Sequence, residues 1–182
     1  MAASPSQTTQ HTSSQYLESA GAIPFRLSTH QICLLHLPSR NEYLLPKGRR
    51  NMGESREQVA LREVLEETGY ACRILPVDMS LRAPPAEEGE PSATPDVTRV
   101  YRDSREPFAL QIRRVGAGGD VKLIWWFVAV VEESGGGDGE ARGEEQFEVG
   151  FYGYREAVER LTFQGDRELV EQAIALVQGT YG

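Results

Sequence analysis

The chain has 182 residues, 40% of them hydrophobic and 25% charged, which is enough for one domain with its own core. A net charge of −8 excludes a generally basic nucleic-acid binder, so a polyanionic partner has to meet a local basic patch or a bound cation. Two cysteines, Cys33 and Cys72, are too few for a disulfide framework and read as reduced and intracellular.

Residues 1–16 are rich in Ser, Thr and Gln and read as a disordered tail, with neither the apolar core of a secretory signal nor the arginines of a transit peptide. Residues 17–182 read as a single domain. It opens with strand-like runs at "SAGAIPF" and "QICLLHL", joined by the turn "LSTH", and a third short run, "EYLLP", stops at Pro46. A helix is expected from near Ser55, because Ser55 and Gln58 make a capping-box pair and Gly69 supplies a C-terminal stop. "CRILPV" reads as a strand. Residues 83–96 are Pro/Glu/Ala-rich and read as a flexible loop rather than a second domain. "VTRVYRDSREPFALQIRRV" carries five arginines and reads as strand, turn, strand. "KLIWWFVAVV" is too uniformly apolar for a half-exposed strand and is expected in the middle of a sheet; it is also too short to cross a bilayer. Residues 132–146 read as a second flexible, acidic loop, "FEVGFYGY" as a last strand, and "REAVERL" and "DRELVEQAIALVQ" as helices. Strands, helix, strands, helix predict an α+β or mixed-sheet domain with helices on both faces. The features together predict a soluble cytoplasmic and/or nuclear protein with no membrane or nucleic-acid partner. No pattern specifies an oligomeric state, and His11, His30 and His36 are too scattered to form a site.

On a helix of about 100° per residue, Leu61, Val64, Leu65 and Thr68 share one face, and Glu63, Glu66 and Glu67 lie nearly opposite. Carboxylates at i, i+3 and i+4 repel one another, and Arg56 and Arg62 relieve part of this. A solvated charged face accounts for such a pattern, and so does a divalent cation held among the carboxylates. Hard oxygen donors suit Mg²⁺ or Mn²⁺, while the absence of nearby His or Cys speaks against zinc.

The spacing from Gly48 runs five residues to Glu54, seven more, then "REVLEETGY". This resembles the Nudix signature, GX5EX7REUXEEXGU, in which U is a bulky apolar residue. Gly48, Glu54, Arg62, Glu63, Glu66, Glu67 and Gly69 meet every fixed position, and Val64 meets the first U. Tyr70 departs mildly, being aromatic where an aliphatic is usual. The resemblance implies an α/β/α sandwich with a mixed β-sheet and a loop–helix–loop catalytic motif. It implies a hydrolase of nucleoside diphosphates linked to another moiety, or of similar diphosphates. Mg²⁺ or Mn²⁺ would be held by Glu63, Glu66 and Glu67 with the backbone carbonyl of Lys47. Arg62 would orient the glutamates and pair with Glu54, and Glu66, or in second place Glu63, would activate water. Other members take a base from a late loop, which leaves Glu144, Glu145 and Glu148 open.

Such chemistry is reasonable for these residues. A diphosphate repels nucleophiles, so charge neutralisation, an acidified water and a nearby carboxylate do most of what is needed. "PKGRR" resembles hydrolases of dinucleoside polyphosphates and diphosphoinositol polyphosphates, with Lys47, Gly48, Arg49 and Arg50 meeting the extra phosphates. In the same comparison Arg26 follows the Phe of the first strand and Lys122 precedes the central strand, both as substrate-binding candidates. "QIRR" at 111–114 adds further bases. The expected substrate is therefore a small polyphosphorylated molecule: a diphosphoinositol polyphosphate, with diadenosine polyphosphates as further substrates. ADP-ribose or nucleotide-sugar hydrolysis is the second reading. A catalytically silent ligand-binding fold is the third, against which the intact glutamates argue.

Overall fold

The computed structural model describes residues 8–85, 96–132 and 143–182. In chain order its strands are β1 (Tyr16–Arg26), β2 (Gln31–Leu37), β3 (Glu42–Leu44), β4 (Lys47–Arg49), β5 (Cys72–Ile74), β6 (Val77–Leu81), β7 (Arg99–Ser104), β8 (Ala109–Val115), β9 (Asp120–Val131) and β10 (Glu148–Gly153). The helices are α1 (Arg56–Thr68), α2 (Tyr154–Arg160) and α3 (Gln164–Tyr181).

The apolar run expected at the centre of a sheet is β9. It pairs in parallel with β1 and antiparallel with β5 and β8, and the sheet continues through β2 to β10. Short β3 and β4 add to β2 and β1, making eight strands among the described residues. The sheet is mixed, as expected. Alternation along β1 sends Ala20 and Ala22 to one face and Ile23 and Phe25 to the other. The alanine face lies against α1 through Val59, Ala60 and Val64. The larger face packs on α2 and α3 through Trp126, Leu161, Val170 and Ala173. This is the α/β/α sandwich.

Several boundaries differ from the sequence reading. Residues 8–15, assigned by composition to the tail, carry described structure. The Gln15 carbonyl accepts the Val121 N–H at 2.9 Å, and β1 begins at Tyr16 because its pairing with β9 begins there. Residues 1–7 lie outside the described part, as do 86–95 and 133–142 of the two acidic loops. "CRILPV" divides at Leu75–Pro76 into β5 on the main sheet and β6. The arginine-rich segment is strand, turn, strand as read, but its strands do not pair with each other: β7 pairs with β6 in a separate two-stranded sheet, while β8 takes the edge of β9. No described helix is long and apolar enough to cross a membrane.

Candidate active site

Local chemistry fixes the loop and helix that carry the charged segment. Ser55 accepts the Gln58 N–H while the Gln58 side chain accepts the Ser55 N–H, the reciprocal cap expected from the sequence. At the other end Gly69 adopts φ 76°, a left-handed conformation that favours glycine, and its N–H reaches the Leu65 carbonyl. The preceding loop is held from inside. Arg50 donates to the Glu54 carbonyl at 2.7 Å, and Asn51 N–H donates to the Glu54 carboxylate at 2.8 Å.

Arg62 is the centre of the acidic group. Its guanidinium donates to both oxygens of Glu54 (2.6 and 3.0 Å), to Glu63 (2.7 Å), to Glu66 (2.9 Å) and to the Arg49 carbonyl (2.9 Å). A planar fork with five donors serves this many acceptors; an ammonium could not. The pairing with Arg62, reinforced by the Asn51 N–H, holds the Glu54 carboxyl down to about 2. Arg62 is pushed above its ordinary value, first by Glu54.

The helix is turned relative to the sequence expectation. Its buried residues are Val59, Ala60, Val64 and Thr68, while Leu65 is 48% exposed. Glu63 and Glu67 therefore flank the buried stripe instead of opposing it, and Glu66 lies further out. Gly48 explains the turn: a side chain there would fall inside the Glu63 carboxyl. Glu67 accepts the Lys47 N–H at 2.9 Å. Burial raises the Glu67 carboxyl to about 7, against the opposing effect of Lys47 and with help from the carboxylates of Glu63 and Glu144.

Among the described residues no three acidic, His or Cys side chains stand together as a ready cage for a metal. Arg62 draws Glu63 and Glu66 to itself, and the Lys47 N–H holds Glu67. The donors nevertheless fit a hard cation. They are carboxylate oxygens, and Glu67, raised first by burial and further by Glu63 and Glu144, is one whose charged form a cation would favour.

Strand β4 divides the acids from the bases. Lys47 pairs with Gly21 and Arg49 with Ser19, positions on the Ile23–Phe25 face of β1, whereas Gly48 meets Glu63 on the α1 side. Lys122 joins Lys47 and Arg49: partial burial and then the positive charges of Lys47, Arg113 and Arg49 lower its pKa. Lys47, Gly48, Arg49 and Lys122 are thus brought together.

Two expected substrate residues are not. Arg50 donates to Glu18 at 3.2 Å as well as to the Glu54 carbonyl, so it ties the loop to β1. Arg26 lies at the far end of β1, its guanidinium 3.6 Å from the ring centre of Phe151 and near Tyr70. Five residues of strand put it about 17 Å from Gly21 at ~3.3 Å per residue. The aromatic Tyr70 packs edge-on against Phe151, which accounts for its presence at an aliphatic position.

Of the late-loop acids, Glu148 is bound to His36 at 2.8 Å and sits on the sheet edge. Glu144 N–H donates to the Glu66 carbonyl at 3.0 Å, which ties that loop end to α1; its other end is tied by Glu132 N–H to the Ala71 carbonyl at 2.9 Å. Glu145 is exposed. Glu18 was missed by the sequence reading. Burial raises its pKa, but hydrogen bonds from Arg56 and Trp125 outweigh this, and it gathers Arg50, Arg56 and Trp125. The only sequence signal was an acid two residues before Ala20 on a strand, in register with the α1 face.

A NUDIX domain profile matches residues 16–173. The chain belongs to the Nudix family. It is a Nudix hydrolase on the family's fold. Solved Nudix structures resemble it at low identity. A Nudix hydrolase from Nitrosomonas europaea has a TM-score of 0.53 at 16% identity, covering 90% of this chain and 88% of the other. The Ap4A hydrolase of C. elegans, as a binary complex, has 0.55 at 15%, covering 90% and 98%. A UDP-X diphosphatase has 0.53 at 17%, covering 92% and 66%. No curated protein matches this Nudix chain.

Proposed function

We propose that the protein is a Mg²⁺-dependent pyrophosphohydrolase that cleaves the phosphoanhydride bond of diphosphoinositol polyphosphates, with diadenosine polyphosphates as further substrates. The observation that carries this reading is the two-sided β4 strand. Acids that suit a divalent cation lie on the α1 side, and Lys47, Arg49 and Lys122 stand together on the other.

Glu63, Glu66 and Glu67, with the Lys47 carbonyl, would hold Mg²⁺ or Mn²⁺. The ion, when bound, neutralises the diphosphate and acidifies water. Arg62 keeps the free carboxylates apart and oriented, with Glu54 bracing it from behind. Glu66, with its side chain 49% exposed, is the carboxylate open to water and takes the proton of the attacking molecule. Water oxygen bonds to phosphorus, the bridging oxygen leaves with its electron pair, and two phosphate-bearing products separate. Lys47, Arg49 and Lys122 hold the spectator phosphates.

A second reading, ADP-ribose or nucleotide-sugar hydrolysis, is favoured by one observation: Arg26 and Arg50 are engaged elsewhere, which leaves fewer cations for a long phosphate chain. A substrate panel with Mg²⁺ separates the two. The expected result is turnover of a diphosphoinositol polyphosphate, lost by about a hundredfold or more in Glu66→Gln. Turnover of ADP-ribose alone would transfer the assignment to the second reading. Ligand binding without turnover of any substrate would make the protein a binding module.

A further inference from the structure

Two buried side-chain atoms lack a hydrogen-bond partner among the described residues: Ser19 Oγ and Asp166 Oδ1. Both belong to one region, the face of the sheet opposite α1. Strand register shows why. Ser19, Gly21, Ile124 and Trp126 are mutual partners on β1 and β9, and Lys47 and Arg49 of β4 pair onto the same face. On the other edge of β9, Gln111 pairs with Ile124 and Arg113 with Lys122. Like charges directly opposite across a strand pair destabilise it, so Arg113 and Lys122 call for an anion between them.

Asp166 supplies part of that charge. It is 4% exposed, and its Oδ1 lies 3.7 Å from the Arg113 guanidinium. Gln111 organises the arrangement: its Oε1 accepts from the buried Trp126 indole at 3.1 Å and from Arg113 at 3.4 Å. Burial raises the Asp166 pKa, while Arg113, Gln111 and Lys47 oppose it, so Lys47 also lies within its electrostatic reach. A carboxylate in the first turn of α3 is favoured by the helix dipole, but that does not explain why this one faces cations from two strands. Asp166, with Glu63 reaching Lys122 from across β4, faces four bases, Lys47, Arg49, Arg113 and Lys122, on a protein whose net charge is −8.

We propose that Arg113 is a specificity-determining residue of this face, holding with Lys47 and Lys122 a phosphate group on the uncleaved part of the substrate, and that Asp166 and Gln111 are positioning residues for Arg113. The inference rests on the hydrolase reading for the reaction and deepens it by assigning to Arg113 the preference for substrates that bear phosphate beyond the scissile diphosphate. ADP-ribose has none to offer Arg113.

Binding of inositol hexakisphosphate to full-length Glu66→Gln protein, followed by calorimetry, tests the role of Arg113 apart from turnover. Adding Arg113→Gln weakens the affinity about tenfold or more and flattens its salt dependence, whereas Arg113→Lys keeps most of it. Asp166→Asn weakens it in the same direction. In otherwise wild-type protein Arg113→Gln raises KM for a diphosphoinositol polyphosphate more than for ADP-ribose, with kcat little changed. Arg113 is half-exposed at its side chain, so the variant folds, as a thermal melt verifies. Hexakisphosphate affinity equal in parent and Arg113→Gln overturns that role even if hydrolysis is found. A tenfold loss of affinity in a protein that hydrolyses nothing sustains the phosphate contact at Arg113 and removes the reaction.

Discussion

Gly48 and Glu67 carry the site's demands at the level of single residues. Gly48 has an ordinary extended backbone, so its role is space: Glu63 occupies the volume of a side chain. Gly48→Ala is expected to displace Glu63 and lower kcat by about a hundredfold or more, with the circular dichroism spectrum unchanged. Wild-type activity in that variant would show that Glu63 need not lie where it does. Glu67 gives a pH signature. Its carboxyl is raised from 4.5 to about 7 in the folded protein, so the folded state holds a proton that the unfolded chain gives up. Its contribution to stability is therefore present below pH 4.5 and lost as pH rises through 7. Glu54, held down to about 2, acts with the opposite sign at lower pH. Urea titrations of metal-free protein between pH 4.5 and 7 should show stability falling with pH, and Glu67→Gln should flatten that part of the curve. Saturating Mg²⁺ should do the same, by favouring the charged form.

The helix α1 and strand β4 show what was legible in the sequence and what was not. The start and stop of α1 were readable because Ser55, Gln58 and Gly69 act within a few residues of one another. The signature's spacing likewise located Arg62 and its carboxylates. The buried face of α1 was misread because acids were assumed to point to water; Glu63 and Glu67 are instead tolerated at its edge by Arg62 and by the Lys47 N–H. Arg50 and Arg26 stand apart from the other expected bases because their partners, Glu18 and Phe151, come from other strands and no local pattern announces them. Nothing in the helical run "DRELVEQAIALVQ" singles out its first residue, Asp166, and only the register of β8 against β9 reveals what it faces. Arg49 and Arg50 should now separate experimentally. Arg50→Ala is expected to cost about 1 kcal/mol of stability through the loop, with little change in KM, because its charge is committed to Glu18 and the Glu54 carbonyl. Arg49→Ala should raise KM for polyphosphates and leave the unfolding midpoint within error. The reverse pattern would mean that Arg50 leaves its partners when substrate arrives.

For the whole molecule, the parallel pairing of β1 with β9 is the organising contact, since both faces of that pair are buried by helices. The central place of β9 followed from its uniformly apolar run; its parallel pairing with β1 did not. The separate β6–β7 sheet did not, because strand runs reveal that pairing occurs but not with which edge. The backbone hydrogen bonds from Glu132 to Ala71 and from Glu144 to Glu66 fasten the second acidic loop on both sides within one turn or so of the end of α1. With both anchors fixed, lengthening the chain between them costs little, because closure entropy grows only slowly with length. A short Gly/Ser peptide inserted between residues 137 and 138 should shift the melting temperature by no more than about 2–4 °C. Because Glu144 holds the carbonyl of Glu66, a load placed on that anchor would be felt by the helix that carries Arg62 and its carboxylates.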